Sequence, residues 1–275
     1  MTGEAAVPRL SFEHPAFSVL ETSVRQRLLS LDHFPAPDEL RTLAGGIPSS
    51  IPAWFDFAVQ DQDELVAAGG FDAMLARTSN VPTRTGSFHD LLGACIWLHF
   101  PALKTAIHRG QLTASERARG PRENALTHLD ESGVLVVGTD VSVFESLSAL
   151  AWPEVFWDRR EELLRSTRFL VFGHGLLDAL REPHPRLMGK ALFVQVSADC
   201  LERGGSELRV LLDAALAPHL SEFLAEPACL EPLPVLGVPG WSAHQTRAYY
   251  EDERYFRRAR SRPRVSSGAR WLVLE

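Results

Sequence analysis

The chain has 275 residues, 45% of them hydrophobic and 23% charged, with a formal net charge of −7. That length can bury a substantial core, and the balance excludes a disordered, collagen-like or coiled-coil chain. No apolar run reaches the roughly 18 residues needed to span a bilayer, and the start MTGEAAVPRLSFEHP lacks the basic-then-apolar order of an export signal, so neither a membrane nor secretion is expected.

Cys95, Cys200 and Cys229 are an odd set, far apart and without a C-x-x-C pair. They fit neither a disulfide framework nor a zinc-thiolate site, and a reducing cytoplasm suits them. The charge is uneven. Seven arginines (Arg254, Arg257, Arg258, Arg260, Arg262, Arg264, Arg270) fall in the last 22 residues with Glu275 as their one acid, which leaves 21 basic against 34 acidic side chains, or −13, before them. A body of that charge repels polyanions, so nucleic acid is disfavoured as a partner and the tail is expected to lie against its own acidic surface.

The stretch SVLETSVRQRLLSL places Val19, Leu20, Val24, Leu28 and Leu31 near helical spacing and predicts a helix, followed by an extended, proline-rich lead-in to about residue 50. DQDELVAAGGFDAMLART predicts two short helices broken at Gly69-Gly70. Next, Thr85-Gly86 is a turn signal and Ser87 a cap, with Asp90 three residues on, for a helix reaching about Phe100. Pro101 then opens a second helix to Gly110.

NALTHLDESGVLVVG is expected to form a β-hairpin turning at Asp130-Glu131-Ser132-Gly133. Pro153 opens a helix over WPEVFWDRREELLRS, whereas RFLVFGHGLLDALRE fits either a helix or a buried strand at its start. ALFVQVSA reads as a strand, SELRVLLDAALAPHLSEFL as a helix disturbed at Pro218, and the proline-rich, aromatic end as an ordered strap. These elements predict a mainly helical α+β fold in a single domain over 1–275, with a small antiparallel sheet that includes a hairpin near 124–138.

Chemistry is sparser than structure. Adjacent helical residues point about 100° apart, so His89-Asp90 cannot converge on one ion as histidines four apart do. Asp90 has a structural use at the positive end of its helix, where it is expected to reach the Ser87 amide. His89 in the first helical turn has its cation disfavoured by the same dipole, and a neutral imidazole is what a general base or metal ligand needs. Arg84, Arg122, Arg159 and Arg160 offer guanidinium forks to an anion, although acids near the last two can occupy them locally. His174, set between glycines in FGHGLL, lines a pocket or is a buried structural histidine. Phosphate-loop, dinucleotide and serine-hydrolase motifs are absent.

The segments VPTRTGSFHDLLGACIWLHFPALK, GPRENALTHLDESG, FWDRRE, FGHGLL and PLPVLGVPGW, in this order, resemble the bacterial domain-of-unknown-function family 3025 over about residues 50 to 262. The resemblance implies a bacterial, soluble, single-domain protein and brings no established activity. It marks Arg84, His89, Asp90 and Trp97, then Pro101 and Lys104, and also Arg122, Asp130, Glu131, Trp157, Arg159, Arg160 and His174. His128 lies outside that pattern. The chain departs from it where the family has asparagine and this sequence has Gly93, and where His108 and Gln111 replace an asparagine and a histidine.

The resulting expectation is a pocket at the N-terminus of the 87–100 helix that binds a small anionic ligand. In it His89 and Asp90 are the candidate catalytic pair, and Arg84, Trp97, Arg122, His174, Arg159 and Arg160 the candidate ligand contacts. The rival readings are a metal-dependent hydrolase or nuclease using His89, Asp90 and Asp130-Glu131, and a non-catalytic interaction or scaffold protein using the arginine tail. The sequence names no cofactor, no metal and no oligomeric state.

Overall fold

The computed structural model describes residues 11–45, 47, 54–112, 120–258 and 271–274. Four of the tail arginines, Arg260, Arg262, Arg264 and Arg270, lie outside them, while Arg254 and Arg258 pair with Asp252 and Glu253 at 2.8 and 3.1 Å. Among the described residues no helix is long and apolar enough to cross a membrane.

The lead-in forms α1 (Thr22–Ser30) and α2 (Pro37–Leu40), with Val24 and Leu28 of α1 buried one turn apart. Strand β1 (Asp56–Val59) pairs in parallel with β2 (Asn80–Thr83), and α3 (Gln62–Ala68) and α4 (Phe71–Thr78) make the crossover between them. The break between these helices is Gly69-Gly70, where φ of +91° and +112° demands residues without a Cβ.

Helix α5 (Phe88–His99) starts where the Ser87 hydroxyl accepts the Asp90 amide at 3.2 Å, and every residue from Leu91 to His99 is buried. Helix α6 (Pro101–Leu112) is capped from far along the chain: the Asp213 carboxylate accepts the Ala102 and Leu103 amides at 3.1 and 2.8 Å. The predicted hairpin is not found. Residues 121–132 form α7 (Pro121–Ser132), which runs directly into β3 (Gly133–Gly138). Pro121 suits a first helical turn, and Ala125, Leu126 and Leu129 bury one helical stripe, so tertiary burial outweighs the short alternation of apolar residues. Asp130 and Glu131 therefore stand in a last helical turn rather than in a hairpin bend.

The chain continues through α8 (Val141–Ser148), a π-type turn at Glu154–Asp158, and α9 (Arg160–Ser166). It then forms β4 (Thr167–Val171) and α10 (His174–Ala179), so the ambiguous RFLVFGHGLLDALRE is a strand followed by a helix. After β5 (Met188–Gln195) come α11 (Ala198–Leu201), α12 (Gly205–Leu216), α13 (Leu220–Phe223), β6 (Glu231–Pro234) and β7 (Leu272–Val273).

The second sheet has the order β4-β3-β5-β6. Its centre is parallel, with Gly133 opposite Lys190 and Gly138 opposite Gln195, its β3–β4 and β5–β6 pairs are antiparallel, and β7 joins the far half of β5 in parallel. Lying between β4 and β5 with every residue buried, β3 accommodates the uninterrupted run GVLVVG. The small sheet is thus mixed rather than antiparallel throughout.

One buried histidine ties the lead-in to this frame. His99 donates Nδ1–H to the Cys95 carbonyl at 2.7 Å and accepts the Glu21 amide on Nε2 at 2.9 Å, while Arg209 bonds the His99 carbonyl and the Glu21 carboxylate. Burial, aided by Arg209, lowers its pKa to about 4. A second proton would face the Glu21 N–H with nothing to accept it. Because the folded value lies below the unfolded one, this stabilisation is complete above pH 6.5 and disappears as pH falls through about 4. Between pH 7.5 and pH 5 the loss should be on the order of 2 kcal/mol. Urea unfolding at the two pH values should show a smaller difference for His99→Gln than for the wild type, and an identical difference would refute the assignment.

Candidate metal centre

Three elements bring three donors together. His89 is the second residue of α5, Glu131 lies in the last turn of α7, and His174 is the first residue of α10. Their meeting depends on missing side chains. The Gly133 carbonyl accepts both the Phe172 and Gly173 amides, at 3.0 and 2.9 Å, which presses the start of α10 onto the end of α7. A Cβ on Gly173 would overlap the Gly133 amide nitrogen and sit 2.6 Å from the Ser132 Cα. On Gly175 it would meet a Glu131 carboxylate oxygen at 2.5 Å, and on Gly93 the His174 Cδ2 at 3.3 Å.

The His89 and His174 rings lie 4.5 Å apart, centroid to centroid. Nε2 of His89 is 4.0 Å from one Glu131 oxygen and Nε2 of His174 is 3.8 Å from the other. One donor atom from each residue falls within 4.8 Å of the other two, the spacing of a group able to hold a metal ion. Tetrahedral ligands at about 2.1 Å from an ion stand roughly 3.4 Å apart, so the widest pair of donors would have to close by up to about 1.4 Å through side-chain rotation. The side chains of His89 and Glu131 are 34% and 47% exposed, which leaves one side of the centre open to solvent.

The electrostatics hold His174 in the form that can ligate an ion. Burial lowers the His174 pKa to about 4, so its imidazole is neutral near pH 7. Its Nδ1–H donates to the Asp130 carbonyl at 2.8 Å, leaving the Nε2 lone pair directed at Glu131. Burial, with the Asp130 charge behind it, raises the Glu131 pKa against the opposing pull of His89 and Lys104, an imbalance that a bound cation would reverse. Burial would raise Asp130 too. There the Lys104 ammonium, 2.5 Å away, prevails with help from His174 and His108 and holds the carboxyl well below its usual range.

The other residues singled out from the sequence are placed as follows. Asp90 accepts Arg84 through Nε at 3.0 Å, Nη2 at 2.6 Å and the Arg84 amide at 2.7 Å, so it reaches that amide rather than the Ser87 one. The fork outweighs burial and lowers the Asp90 pKa. Trp97 is 2% exposed and stacks on His108, away from solvent. Arg122 is exposed in the first turn of α7, about 13 Å along the helix from Glu131. Arg159 is held by Glu162 at 2.6 Å and by the Ser142 and Ser146 hydroxyls, and Arg160 reaches Gln245 at 3.4 Å. Both line an open hollow of about 420 Å³ with Trp157 and Arg165, which none of the three donors borders.

The sequence places His89 and His174 in one expected anion pocket and offers Glu131 only to the rival metal-dependent reading, in a hairpin turn with Asp130 and together with Asp90 instead of His174. The available signal was the glycine on each side of His174, which marks a place where other groups come close.

A family model described as "Protein of unknown function (DUF3025)" matches residues 55–260. No curated protein and no solved structure matches the chain.

The contact that assembles the centre can be probed directly. Gly173→Ala forces backbone against backbone and should cost about 3 kcal/mol or more, whereas Gly204→Ala, with nothing within 4 Å of its Cβ, should change stability by about 1 kcal/mol or less. Urea unfolding of the two variants checks this, and equal stabilities would contradict the close approach.

Proposed function

Since the chain belongs to the family described as a protein of unknown function (DUF3025), which offers no activity to inherit, we propose from its geometry that it is a divalent-metal-dependent hydrolase centred on His89, Glu131 and His174. The observation that carries this reading is the convergence of two imidazoles and a carboxylate from three separate elements, with one imidazole tautomer set by a carbonyl. Two histidines and one glutamate are a donor set of catalytic zinc sites, in which a fourth position stays available for water or substrate.

Each side chain has a definite part. His174 contributes the Nε2 lone pair of a buried, neutral ring. His89 contributes Nε2 from the solvent side, and Glu131 supplies the negative charge that favours a divalent ion over water. A bound ion would lower the pKa of its water toward neutrality and polarise a carbonyl or phosphoryl oxygen. The open side formed by His89 and Glu131 is where an ester substrate would approach. Arg84 and Asp90, bound to each other, keep the first turn of α5 and hence His89 in place.

Elemental analysis of protein purified without chelator should find close to one zinc or similar divalent ion per chain, and Glu131→Gln or His174→Ala should lose it. Added zinc at 100 times its dissociation constant should stabilise the metal-free protein by about 2.7 kcal/mol. Restored metal should restore hydrolysis of an activated ester such as p-nitrophenyl acetate or bis-p-nitrophenyl phosphate. The proposal fails if the protein holds no ion and gains no stability from any divalent ion. Stoichiometric iron without hydrolysis would retain the metal centre and refute the hydrolase, because iron oxygenases use the same donor set.

A further inference from the structure

The interior behind the centre holds a charge pair whose stability alone does not explain it. Lys104 and Asp130, with side chains 3% and 11% exposed, meet at 2.5 Å. Removing both ions from water costs free energy that their attraction offsets poorly, so such a pair is weak evidence of stabilisation and calls for another use. What the pair holds supplies one.

Asp130 touches both ends of the centre. It immediately precedes Glu131, so the Asp130–Glu131 peptide sets where that carboxylate starts. Its carbonyl is the acceptor that fixes the His174 tautomer, at 2.8 Å, and its carboxylate lies 4.0 Å from the same Nδ1. Lys104 also lies beside an aromatic ring. Its ammonium lies 5.4 Å from the centre of the Trp97 ring, and Trp97 stacks on His108 at 5.1 Å with planes 8° apart. His108, one turn along α6 from Lys104, bonds Asp72 of α4 at 2.5 Å through Nδ1. A continuous contact path thus runs from the part-buried Asp72 of α4 through α6 to the last turn of α7.

We propose that Lys104 is a positioning residue of the metal centre: through Asp130 it immobilises the peptide that presents Glu131 and accepts the Nδ1–H of His174. This rests on the metal reading above. Lys104 touches neither ion nor substrate in this role. It acts on the outer partners of the ligands, whose loss in metal sites generally weakens binding by roughly 10- to 100-fold. Trp97, backed by His108, is the wall beside the ammonium.

The single variant Lys104→Met leaves a buried carboxylate alone and is expected to fold poorly, so the double variant Lys104→Met/Asp130→Asn carries the test. It removes both charges, preserves the backbone carbonyl and should recover stability. In the metal-free proteins, ¹⁵N–¹H spectra of the imidazoles at a fixed alkaline pH should show His174 as the Nδ1–H tautomer in the wild type and as a mixture in the double variant. Cobalt(II) should bind the double variant roughly 10- to 100-fold more weakly, with an altered visible spectrum. A stable double variant with wild-type tautomer and cobalt affinity would reduce the pair to a structural element and overturn this inference alone. A wild type that takes up no cobalt overturns both it and the metal reading.

Discussion

The Gly133 carbonyl, accepting two successive amides from Phe172 and Gly173, is the constraint on which the centre depends. Through it the strand-to-helix bend after β4 is locked onto the helix-to-strand bend before β3, at one end of the sheet. Neither bend tolerates a side chain. A Cβ on Gly133 would overlap the Leu129 carbonyl oxygen, and one on Gly173 would enter the opposing backbone. Backbone-to-backbone contact of this kind cannot relax by a rotamer change, so the relative position of Glu131 and His174 is fixed by the main chain.

On that rigid seat, two adjacent carboxylates are driven in opposite directions. Asp130 faces inward to Lys104 and is held as an anion, while Glu131 faces the solvent side and is pushed toward its neutral form by partial burial and by Asp130. Neighbouring helical side chains point about 100° apart, which lets consecutive acids occupy such different surroundings. A cation beside Glu131 would offset both of the effects that disfavour its charge.

The helical content and most boundaries were legible from local signals. Ser87 caps α5, Pro101 opens α6, Gly69-Gly70 divides α3 from α4, and the apolar run at 133–138 is a strand. The misreading at 124–132 has a physical origin, since nine residues with few apolar side chains fit a short strand and a helix about equally well. Only the packing of Ala125, Leu126 and Leu129 decides between them. A hairpin would hold Glu131 in a bend beside Asp130, whereas in the last turn of α7 it meets His174 at the start of α10.

The sequence by itself determined the residue types available for chemistry, the capped first turn that carries His89, and the glycines flanking His174, because caps, turns and close approaches are properties of a few consecutive residues. It also marked Lys104 and Asp130 as members of a family pattern without indicating that they touch. Tertiary structure alone decided that His89, Glu131 and His174 converge and that Lys104 meets Asp130. Convergence of that kind is set by the packing of α5, α7 and α10 around the end of the sheet. Contacts between residues so distant in the chain have no local periodicity through which they could be read.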